Sequence, residues 1–219
     1  MDQLYSYYVI RGLSNSVILV CEKTKRCAII DPSSYDKIIS KIEELKVIPD
    51  KILITHGHYD HIFYADKFRE TYSIKIHIHE DDEEYMKDPT KNYSMKSMGK
   101  EIGFSPDVLF HGSSDSVHVG DLFIKVLHTP GHTKGGVSYY VEDSKKPILF
   151  SGDTLFKGTI GRTDLFGGNF SRIISSIENQ LLVLPEETVV IPGHGIPTKI
   201  KDEFETIRNL KSQNSQSGN

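Results

Sequence analysis

The sequence predicts an α+β protein in which two mixed β-sheets pack face to face, with helices on the outside. The first observation is that short β-branched segments alternate with helical segments in both halves of the chain, roughly in the orders ββαβαβ and βββαβα. The second is that the 219 residues suit one compact domain and contain no internal repeat or long linker. We therefore expect a single domain over residues 1–211 and a polar, mobile tail over residues 212–219.

Composition and charge exclude several classes of protein. Hydrophobic residues make up 37% of the chain and charged residues 26%, which supplies enough apolar material for a core. The formal charge of −4 argues against binding of nucleic acid through bulk charge, and no apolar run approaches the roughly 18 residues of a membrane span. The start of the chain lacks both a basic and a long apolar segment, so we expect no secretory signal and a cytoplasmic protein. Cys21 and Cys27 are too few for a disulfide framework and are expected to be buried free thiols.

The first half of the chain is predicted to contain a hairpin, two helices and two further strands. Residues 16–20 and 27–30 are β-branched runs on either side of a charged turn, which is typical of a hairpin. Apolar residues at 38, 39, 42 and 45 then have the spacing of an amphipathic helix behind a capping Ser34. Residues 51–55 and 74–78 are predicted strands, and a helix is predicted to begin near Asp60. Residues 80–107 start acidic and contain three methionines, which indicates a short acidic helix followed by a surface insertion.

The second half is predicted to contain four strands and two helices. The strands are expected over residues 122–127, 137–141, 148–150 and 188–191. Apolar residues at 170, 173, 174, 177 and 181 share one face of a predicted helix, and a polar helix is expected from about 201 to 210.

The most informative stretch is Thr55-His56-Gly57-His58-Tyr59-Asp60-His61, which follows a predicted strand and precedes a helix. Four candidate metal ligands, three imidazoles and one carboxylate, lie within six positions. Such donors suit zinc, iron or manganese, and the absence of a thiolate disfavours a closed structural zinc site. A surface cluster of histidines is the competing interpretation, but this number of donors at this spacing favours a metal site.

Three later positions would complete a site for two metals. Each follows a predicted strand and lies beside glycine, which lets the backbone turn sharply. They are His132 in Thr129-Pro130-Gly131-His132, Asp153 in Ser151-Gly152-Asp153, and His194 in Pro192-Gly193-His194. One such position alone would be a weak signal, whereas all three together indicate a joint site.

At these residues the sequence resembles the metallo-β-lactamase-fold hydrolases, over about residues 8–200. The resemblance rests on Thr-His-x-His-x-Asp-His at 55–61, His-Thr-Pro-Gly-His-Thr at 128–133, Gly-Asp-Thr-Leu-Phe at 152–156 and Pro-Gly-His-Gly at 192–195. Within that superfamily the chain is similar to the short bacterial glyoxalase II group, which is hydroxyacylglutathione hydrolase-like, through Gly-Arg-Thr-Asp at 161–164 and Leu-Pro-Glu-Glu at 184–187. The resemblance implies a four-layer αββα sandwich, in agreement with the predicted order of elements.

The resemblance also implies the roles of the seven candidate ligands. One metal would be held by His56, His58 and His132, and a second by Asp60, His61 and His194, with Asp153 bridging the two. Two metals about 3.5–4 Å apart can share a water and lower its pKa toward neutrality. The implied activity is hydrolysis of a small-molecule thioester, in which a metal-bridging hydroxide that Asp60 orients attacks the carbonyl. We expect two divalent ions, zinc by default, with iron or manganese as alternatives.

The thiol carrier is less firmly implied than the thioester chemistry. The longer glyoxalase II enzymes have a C-terminal helical domain that helps to bind glutathione, and here about 24 residues follow Gly195. Arg162 is expected either to bind a carboxylate of the substrate through its planar guanidinium or to form a structural salt bridge. The sequence does not indicate the acyl group or the oligomeric state.

The remaining histidines are not expected to bind metal. His77 and His79 repeat the His-x-His spacing, but alternation with isoleucines is typical of an ordinary strand. His111 and His118 lie in a polar turn region and are expected to be solvated. His128 precedes His132 by four positions and is expected to support the site without coordinating a metal.

Four other functions are compatible with parts of the sequence but are favoured less than thioester hydrolysis. A persulfide dioxygenase would hold a single iron through His56, His132 and Asp153, and the Gly-Arg-Thr-Asp motif resembles that group as well. A lactonase of the same fold is less favoured than the thioesterase. A nuclease of the same fold is also less favoured, because the acidic start of residues 80–107 would repel phosphate. A non-catalytic binding protein is disfavoured because all seven ligand positions are filled.

Overall fold

Two six-stranded sheets dominate the computed structural model of the chain, which describes residues 4–112 and 115–217. The strands of the first sheet, in spatial order, are β1 (Tyr5–Arg11), β2 (Asn15–Cys21), β3 (Arg26–Ile30), β4 (Ile48–Leu53), β5 (Lys75–His79) and β6 (Val108–Phe110). β1, β2 and β3 pair antiparallel, whereas β3 to β6 are parallel. The sheet is therefore mixed, as the sequence predicts.

The second sheet is formed by the second half of the chain. Its strands are β7 (Ser116–Val119), β8 (Leu122–His128), β9 (Val137–Val141), β10 (Ile148–Gly152), β13 (Val189–Pro192) and β14 (Thr198–Lys199). Their spatial order is β14-β13-β10-β9-β8-β7. A separate two-stranded hairpin pairs β11 (Leu155–Phe156) with β12 (Thr159–Ile160). β10 and β13 are parallel, and the other pairs in this sheet are antiparallel. Consequently β8, β10 and β13 all end at the same edge.

The described helices lie in the connections between strands, except for α7, which follows the last strand. They are α1 (Tyr35–Leu45), α2 (Tyr59–Ile62), α3 (Ala65–Tyr72), α4 (Glu83–Lys87), α5 (Ser94–Met98), α6 (Phe170–Ser176) and α7 (Phe204–Ser217), with 3₁₀ turns at Glu80–Asp82 and Ile200–Asp202 and a π-helical turn at Ile177–Leu181 after α6. Among the described residues, no helix has the length and apolar character needed to cross a bilayer.

Three apolar layers hold these elements together. The inner faces of the two sheets bury residues such as Leu53, Tyr139 and Phe150 against one another. Ile38 and Ile42 of α1 and Phe68 of α3 pack on the outer face of the first sheet. Ile173 of α6 and Ile207 of α7 pack on the outer face of the second sheet. Burial of each such side chain stabilises the fold by about 1.5–3 kcal/mol. The layers are helix, sheet, sheet and helix, which confirms the αββα prediction.

Several local features differ from the sequence-based expectations. The helix expected near Asp60 is interrupted after α2, because the Tyr64 amide donates to the carbonyl of Pro32 (3.1 Å) instead of continuing the helix. Ser34 has the extended backbone of an N-cap, but its hydroxyl makes no capping hydrogen bond. Cys21 and Cys27 are buried free thiols, as expected.

The chain ends differ from expectation in their secondary structure. β1 was not expected, although it pairs with β2 along its whole length. α7 continues to Ser217, so most of the segment predicted as a tail is helical. The structure does not describe residues 218 and 219 of the predicted tail. It also does not describe residues 1–3, which belong to the N-terminal segment that was expected to contain no secretory signal.

Candidate metal centre

The candidate ligands lie in four segments that meet at one edge of the sandwich, and the segment after β4 is a loop that continues into α2, where Asp60 and His61 lie. Each segment follows the carboxyl end of β4, β8, β10 or β13. Hydrogen bonds join the loops across the two sheets: the Val137 amide donates to the Thr55 carbonyl (2.9 Å), and the Asn15 amide donates to the Gly193 carbonyl (2.7 Å). A Cβ atom at Gly193 would overlap Asp153 Oδ1, so glycine is required there for the close approach of the β13 loop.

His56, His58 and His132 form one cluster. Each offers a ring nitrogen within 4.8 Å of the other two, and all three side chains are buried. His58 Nδ1 lies 2.9 Å from His132 Nε2, so a nitrogen of each ring is directed at the other. This geometry could hold a metal ion among three imidazoles.

Asp60, His61 and His194 form a second cluster with the same spacing of ligand atoms. His194 Nε2 lies 3.0 Å from Asp60 Oδ2, and His61 Nε2 lies 3.7 Å from the same oxygen. His61 is fully buried, whereas 41% of the His194 side chain is exposed. The second cluster is therefore the one that opens toward solvent.

Asp153 lies between the two clusters. Its Oδ2 atom is 3.6 Å from Nε2 of both His132 and His194, and its Oδ1 atom is 3.4 Å from His61 Nε2. Asp153 also groups with His56 and His61 as a third set of donors within 4.8 Å. A single carboxylate therefore contacts both groups of imidazoles, which is the arrangement a bridging ligand needs.

Hydrogen bonds on the far side of three rings fix their orientation. His61 Nδ1 donates to Asp31 Oδ2 (2.8 Å), and His132 Nδ1 donates to the Arg162 carbonyl (2.8 Å). The Thr55 hydroxyl donates to Asp31 Oδ2 (2.6 Å) and can therefore accept from His56 Nδ1 (3.1 Å). In each ring Nδ1 is occupied, which leaves Nε2 as the donor atom toward the cluster.

The first cluster favours neutral imidazoles. Burial is the main cause that lowers the pKa of His56, His58 and His132, and neighbouring histidines lower the pKa of His56 and His58 further. A neutral imidazole keeps a lone pair for a metal. Nε2 atoms of His56, His58 and His61 and Oδ1 of Asp153 are buried without a hydrogen-bond partner, which is costly unless a ligand contacts them.

The second cluster favours positive charge. Burial opposes protonation of His61, but the carboxylates of Asp31, Asp60 and Asp153 outweigh it and raise the pKa of His61 to about 10. Burial likewise opposes ionisation of Asp60, but His61 and His194 keep the pKa of Asp60 below its usual range. Three carboxylates around one imidazole create a negative site that a proton or a metal cation can neutralise.

Asp82, which the sequence did not single out, connects two of the loops. Its fully buried carboxylate accepts hydrogen bonds from the Gly57 amide (2.9 Å), the Gly135 amide (2.6 Å) and the Thr133 hydroxyl (2.7 Å). Gly57 lies between His56 and His58, and Thr133 follows His132. Asp82 therefore ties both loops of the first cluster to the start of the segment 80–107.

Arg162 lies beside the candidate metal centre, but its guanidinium forms a salt bridge with Asp164. Its Nε and Nη2 atoms donate to the two carboxylate oxygens of Asp164, at 2.7 Å each, and both side chains are exposed. Of the two roles expected for Arg162, the structure shows the salt bridge. Its main chain contributes to the centre through the hydrogen bond from His132.

The histidines that were not expected to bind metal lie outside the seven-residue site. His77 belongs to no group of candidate ligands among the described residues. His79, Asp81 and His128 do form such a group, but the rings of His79 and His128 stack at 4.0 Å with an angle of 10°. Parallel stacked rings cannot both direct an in-plane lone pair at one ion, and His79 Nδ1 already accepts from the Asp81 amide (3.2 Å).

The last two histidines lie on the surface. His111 pairs with Glu80 (3.0 Å), and His118 lies against the ring of Phe123 on an exposed strand face. Both are exposed, as expected, but His118 lies in β7 and not in the predicted turn region.

The residues that orient the candidate ligands were not predicted from the sequence. Asp31 and Asp82 each follow the end of a parallel strand of the first sheet, β3 and β5, so their position beside the β4 loop was a signal that could have identified them. Asn15 was hidden within β2; its side-chain amide donates to the carbonyls of Pro192 and Gly195 and supports the His194 loop.

Comparison with known proteins agrees with this arrangement. Residues 10–194 match the family model described as the metallo-beta-lactamase superfamily. The chain is 39% identical over 192 residues to the Bacillus subtilis (strain 168) protein named "Probable metallo-hydrolase YqgX", which covers 87% of this chain and 89% of the relative. It is 33% identical over 187 residues to "Hydroxyacylglutathione hydrolase GloC" of Haemophilus influenzae, with 84% and 87% coverage.

Two solved structures are similar over nearly the whole chain. The crystal structure of BLEG-1 B3 metallo-beta-lactamase superposes with a TM-score of 0.84 at 36% identity, covering 92% of this chain and 96% of that one. The crystal structure of TTHA1623 in a di-iron-bound form has a TM-score of 0.75 at 28% identity, covering 92% and 98%. Together with the fold and the clustered histidines and aspartates, these matches lead to one conclusion: the chain belongs to the metallo-β-lactamase superfamily, whose members are mostly metal-dependent hydrolases.

Proposed function

We propose that this protein is a binuclear metal-dependent thioester hydrolase of the glyoxalase II type. The observation that carries the proposal is the position of Asp153 between two clusters of donor atoms. In this proposal His56, His58 and His132 hold one divalent ion, and Asp60, His61 and His194 hold the other. Asp153 would be shared by both.

The donor set fits such ions. The buried Nε2 atoms of His56 and His61 and Oδ1 of Asp153 have no hydrogen-bond partner, and these three residues form one group of candidate ligands, where a cation would satisfy them. Nitrogen and oxygen donors suit zinc, and hydrolysis needs no redox change, so zinc is the first choice. Iron and manganese accept the same donors, and the similarity to TTHA1623, described as di-iron-bound, supports keeping iron as an alternative.

The protein's own residues would orient the reaction. When bound, two divalent ions would supply a water of lowered pKa and stabilisation of charge on the carbonyl oxygen. Asp60 stays ionised and lies at the open side of the centre, so its carboxylate can accept a hydrogen bond from the attacking water and orient it. A thiolate of pKa near 8.5 is a good leaving group, so no strong acid is needed beside it.

The substrate in this proposal is a small thioester. The resemblance to glyoxalase II and the similarity to GloC, which is named a hydroxyacylglutathione hydrolase, support a thioester, and glutathione is the proposed carrier. A nucleic acid is not proposed, since the net charge is −4. A cytoplasmic location is part of the same proposal.

Steady-state hydrolysis of S-D-lactoylglutathione by protein of known metal content tests the proposal directly. We expect turnover that chelation abolishes and added divalent metal restores. A β-lactam and a lactone should be included, because BLEG-1 is named a metallo-beta-lactamase. Turnover of the β-lactam or the lactone with inert thioesters would overturn the thioesterase proposal while leaving the metal centre standing.

The second candidate is a persulfide dioxygenase with one iron, which the Gly-Arg-Thr-Asp motif at 161–164 also resembles. Its ligands would be His56, His132 and Asp153. The separate cluster of Asp60, His61 and His194 favours two ions over one. One iron per chain with oxygen uptake on glutathione persulfide would reverse this preference.

A further inference from the structure

Tyr93 has an unusual backbone conformation beside the centre. Its φ angle is 67°, in the left-handed region that bulky side chains avoid. Among the other described non-glycine residues, Lys25, Asp31, Lys46 and Ser73 also have positive φ. Lys46 and Ser73 end helices, where this conformation is common. Tyr93 instead precedes α5, within the segment 80–107 that the sequence predicted to be a short acidic helix followed by a surface insertion. The conformation therefore calls for a specific reason.

The neighbouring residue holds Tyr93 in this conformation. Asn92 is fully buried, and its side-chain amide donates to the carbonyls of Tyr85 (3.0 Å) and Ile102 (2.7 Å), while its Oδ1 accepts from the Ser94 amide (2.9 Å). The Asn92 carbonyl accepts from the Tyr59 amide (3.0 Å), in the same loop as the candidate ligands. The insertion is thus fixed directly to the metal-centre loop.

The fixed conformation places the Tyr93 ring at the edge of the first cluster. The ring centroid lies 5.5 Å from that of His58, at an angle of 69°. The Tyr93 hydroxyl oxygen accepts from the Phe166 amide (2.8 Å), which leaves the phenolic hydrogen free to donate. Phe166 is 42% exposed and Tyr93 is half-buried, so both side chains are accessible; we call this pair, which the hydrogen bond joins between the insertion and the loop that contains Arg162, the aromatic wall.

Cationic groups surround this wall. The ammonium groups of Lys91 and Lys134 lie 5.4 and 5.1 Å from the centre of the Phe166 ring, and that of Lys96 lies 6.0 Å from the Tyr93 ring. Glu84 pairs with both Lys91 and Lys134, so one carboxylate offsets part of the charge of these three ammonium groups. An extended thiol with carboxylate groups could place its chain on the rings and its charges near the lysines.

We infer that Tyr93 is a specificity-determining residue that, with Phe166, binds the thiol-carrier half of the substrate. The inference rests on the proposed thioesterase function and extends it, because it assigns the insertion to recognition of an anionic, peptide-like carrier. The acyl half would lie toward Asp60 and His194. In this assignment the left-handed backbone of Tyr93 lowers the free energy of unfolding, but it places the Tyr93 ring where it can contact the substrate.

Replacing Tyr93 by glycine separates recognition from folding. Glycine adopts positive φ without strain, so Tyr93→Gly should keep the melting temperature and the metal content close to wild type. We expect KM for S-D-lactoylglutathione to rise about tenfold or more through loss of the aromatic contact. The kcat/KM for S-methyl thioacetate, which has no extended carrier, should fall by a much smaller factor, so the ratio of the two kcat/KM values measures the loss of carrier binding. Lys46→Gly, at another left-handed residue, is the matched control and should change neither substrate's kinetics.

Two further measurements complete the test. Tyr93→Phe keeps the ring and should retain most of the affinity, and a KM as high as that of Tyr93→Gly would contradict an aromatic wall. Calorimetric binding of S-hexylglutathione, which cannot be hydrolysed, should weaken in Tyr93→Gly. Equal losses for both thioesters, or unchanged KM and unchanged binding, would overturn the inference alone. If the wild-type protein hydrolyses neither thioester, the proposed function is overturned. In that case, the inference about Tyr93 is also overturned if the wild-type protein does not bind S-hexylglutathione, or if Tyr93→Gly binds it as tightly as the wild type does.

Discussion

Asp31 shows how single residues outside the ligand motifs shape the candidate centre. It is buried, it has a left-handed backbone (φ 49°), and it accepts hydrogen bonds from His61 Nδ1 and from the amide and hydroxyl of Thr55. Thr55 in turn contacts His56. One carboxylate therefore influences the orientation of a histidine in each cluster.

Replacing Asp31 by asparagine should weaken metal binding. The substitution keeps the shape but removes the charge that orients and polarises His61, and partners of this kind typically contribute about 10–100-fold in metal affinity. Competition with a chromophoric chelator measures the affinity. Asp36→Asn, on α1 away from the centre, is the control. Equal affinity in the two variants would show that Asp31 does not support the metal site.

The seven candidate ligands could be predicted from the sequence because each lies in a short motif directly after a strand. Asp31 and Asp82 could not be assigned in the same way, since their partners are 24 to 53 positions away along the chain. The Arg162 salt bridge was one of two alternatives because Asp164 is only two positions on. Local spacing identifies donors, whereas the groups that orient them depend on tertiary structure.

The strands and helices could be predicted where their hydrophobic pattern is long enough. β2, β8 and β9 and the apolar faces of α1 and α6 fall where periodicity placed them. β6, β7, β11, β12 and β14 have two to four residues each, too few to show alternation. They are defined by pairing with a neighbour, which the sequence does not show.

Asp82 joins the start of the segment 80–107 to the loops after β4 and β8, and its replacement should destabilise the folded protein. Asp82→Asn replaces one acceptor oxygen by an amide that cannot accept from Gly57, Gly135 and Thr133 together. We expect a loss of about 1–3 kcal/mol of unfolding free energy, because a buried donor is left unpaired. Chemical denaturation measures it. Asp81→Asn, at the exposed neighbouring position, should cost far less. Equal losses would contradict the role of Asp82 in joining the loops.

At the scale of the whole molecule, both sheets contribute to the centre. The β4 loop of the first sheet supplies four candidate ligands, and the β8, β10 and β13 loops of the second supply three. Hydrogen bonds between the two sheets, such as that from the Tyr139 hydroxyl to the Ile54 carbonyl (2.7 Å), fix their relative position beside the centre. An ion bound there would contact both halves of the molecule and stabilise their packing.

His77 should make the folded protein sensitive to mild acid independently of the metal centre. Burial, together with Lys51 and Lys75, lowers the pKa of His77 to about 4. The unfolded chain therefore binds a proton near pH 6.5 that the folded protein does not, so stability is lost as pH falls from about 6.5 to 4.

Replacing His77 by glutamine should remove part of this acid sensitivity. We expect the loss of unfolding free energy between pH 6.5 and 4 to be smaller in His77→Gln by on the order of 2 kcal/mol. Urea unfolding across that range measures it, with His118→Gln at an exposed position as the control. The same pH dependence in His77→Gln and wild type would contradict the low pKa.

The central claim is that the protein holds two metal ions through a shared Asp153. Elemental analysis of freshly purified wild-type and Asp153→Asn protein tests it most directly. We predict close to two ions per wild-type chain and a clear loss of at least one in Asp153→Asn, because the substitution removes the negative charge that both cations would share. Exposed Asp164→Asn should keep the wild-type content. One ion in the wild type, or two retained in Asp153→Asn, would contradict the account.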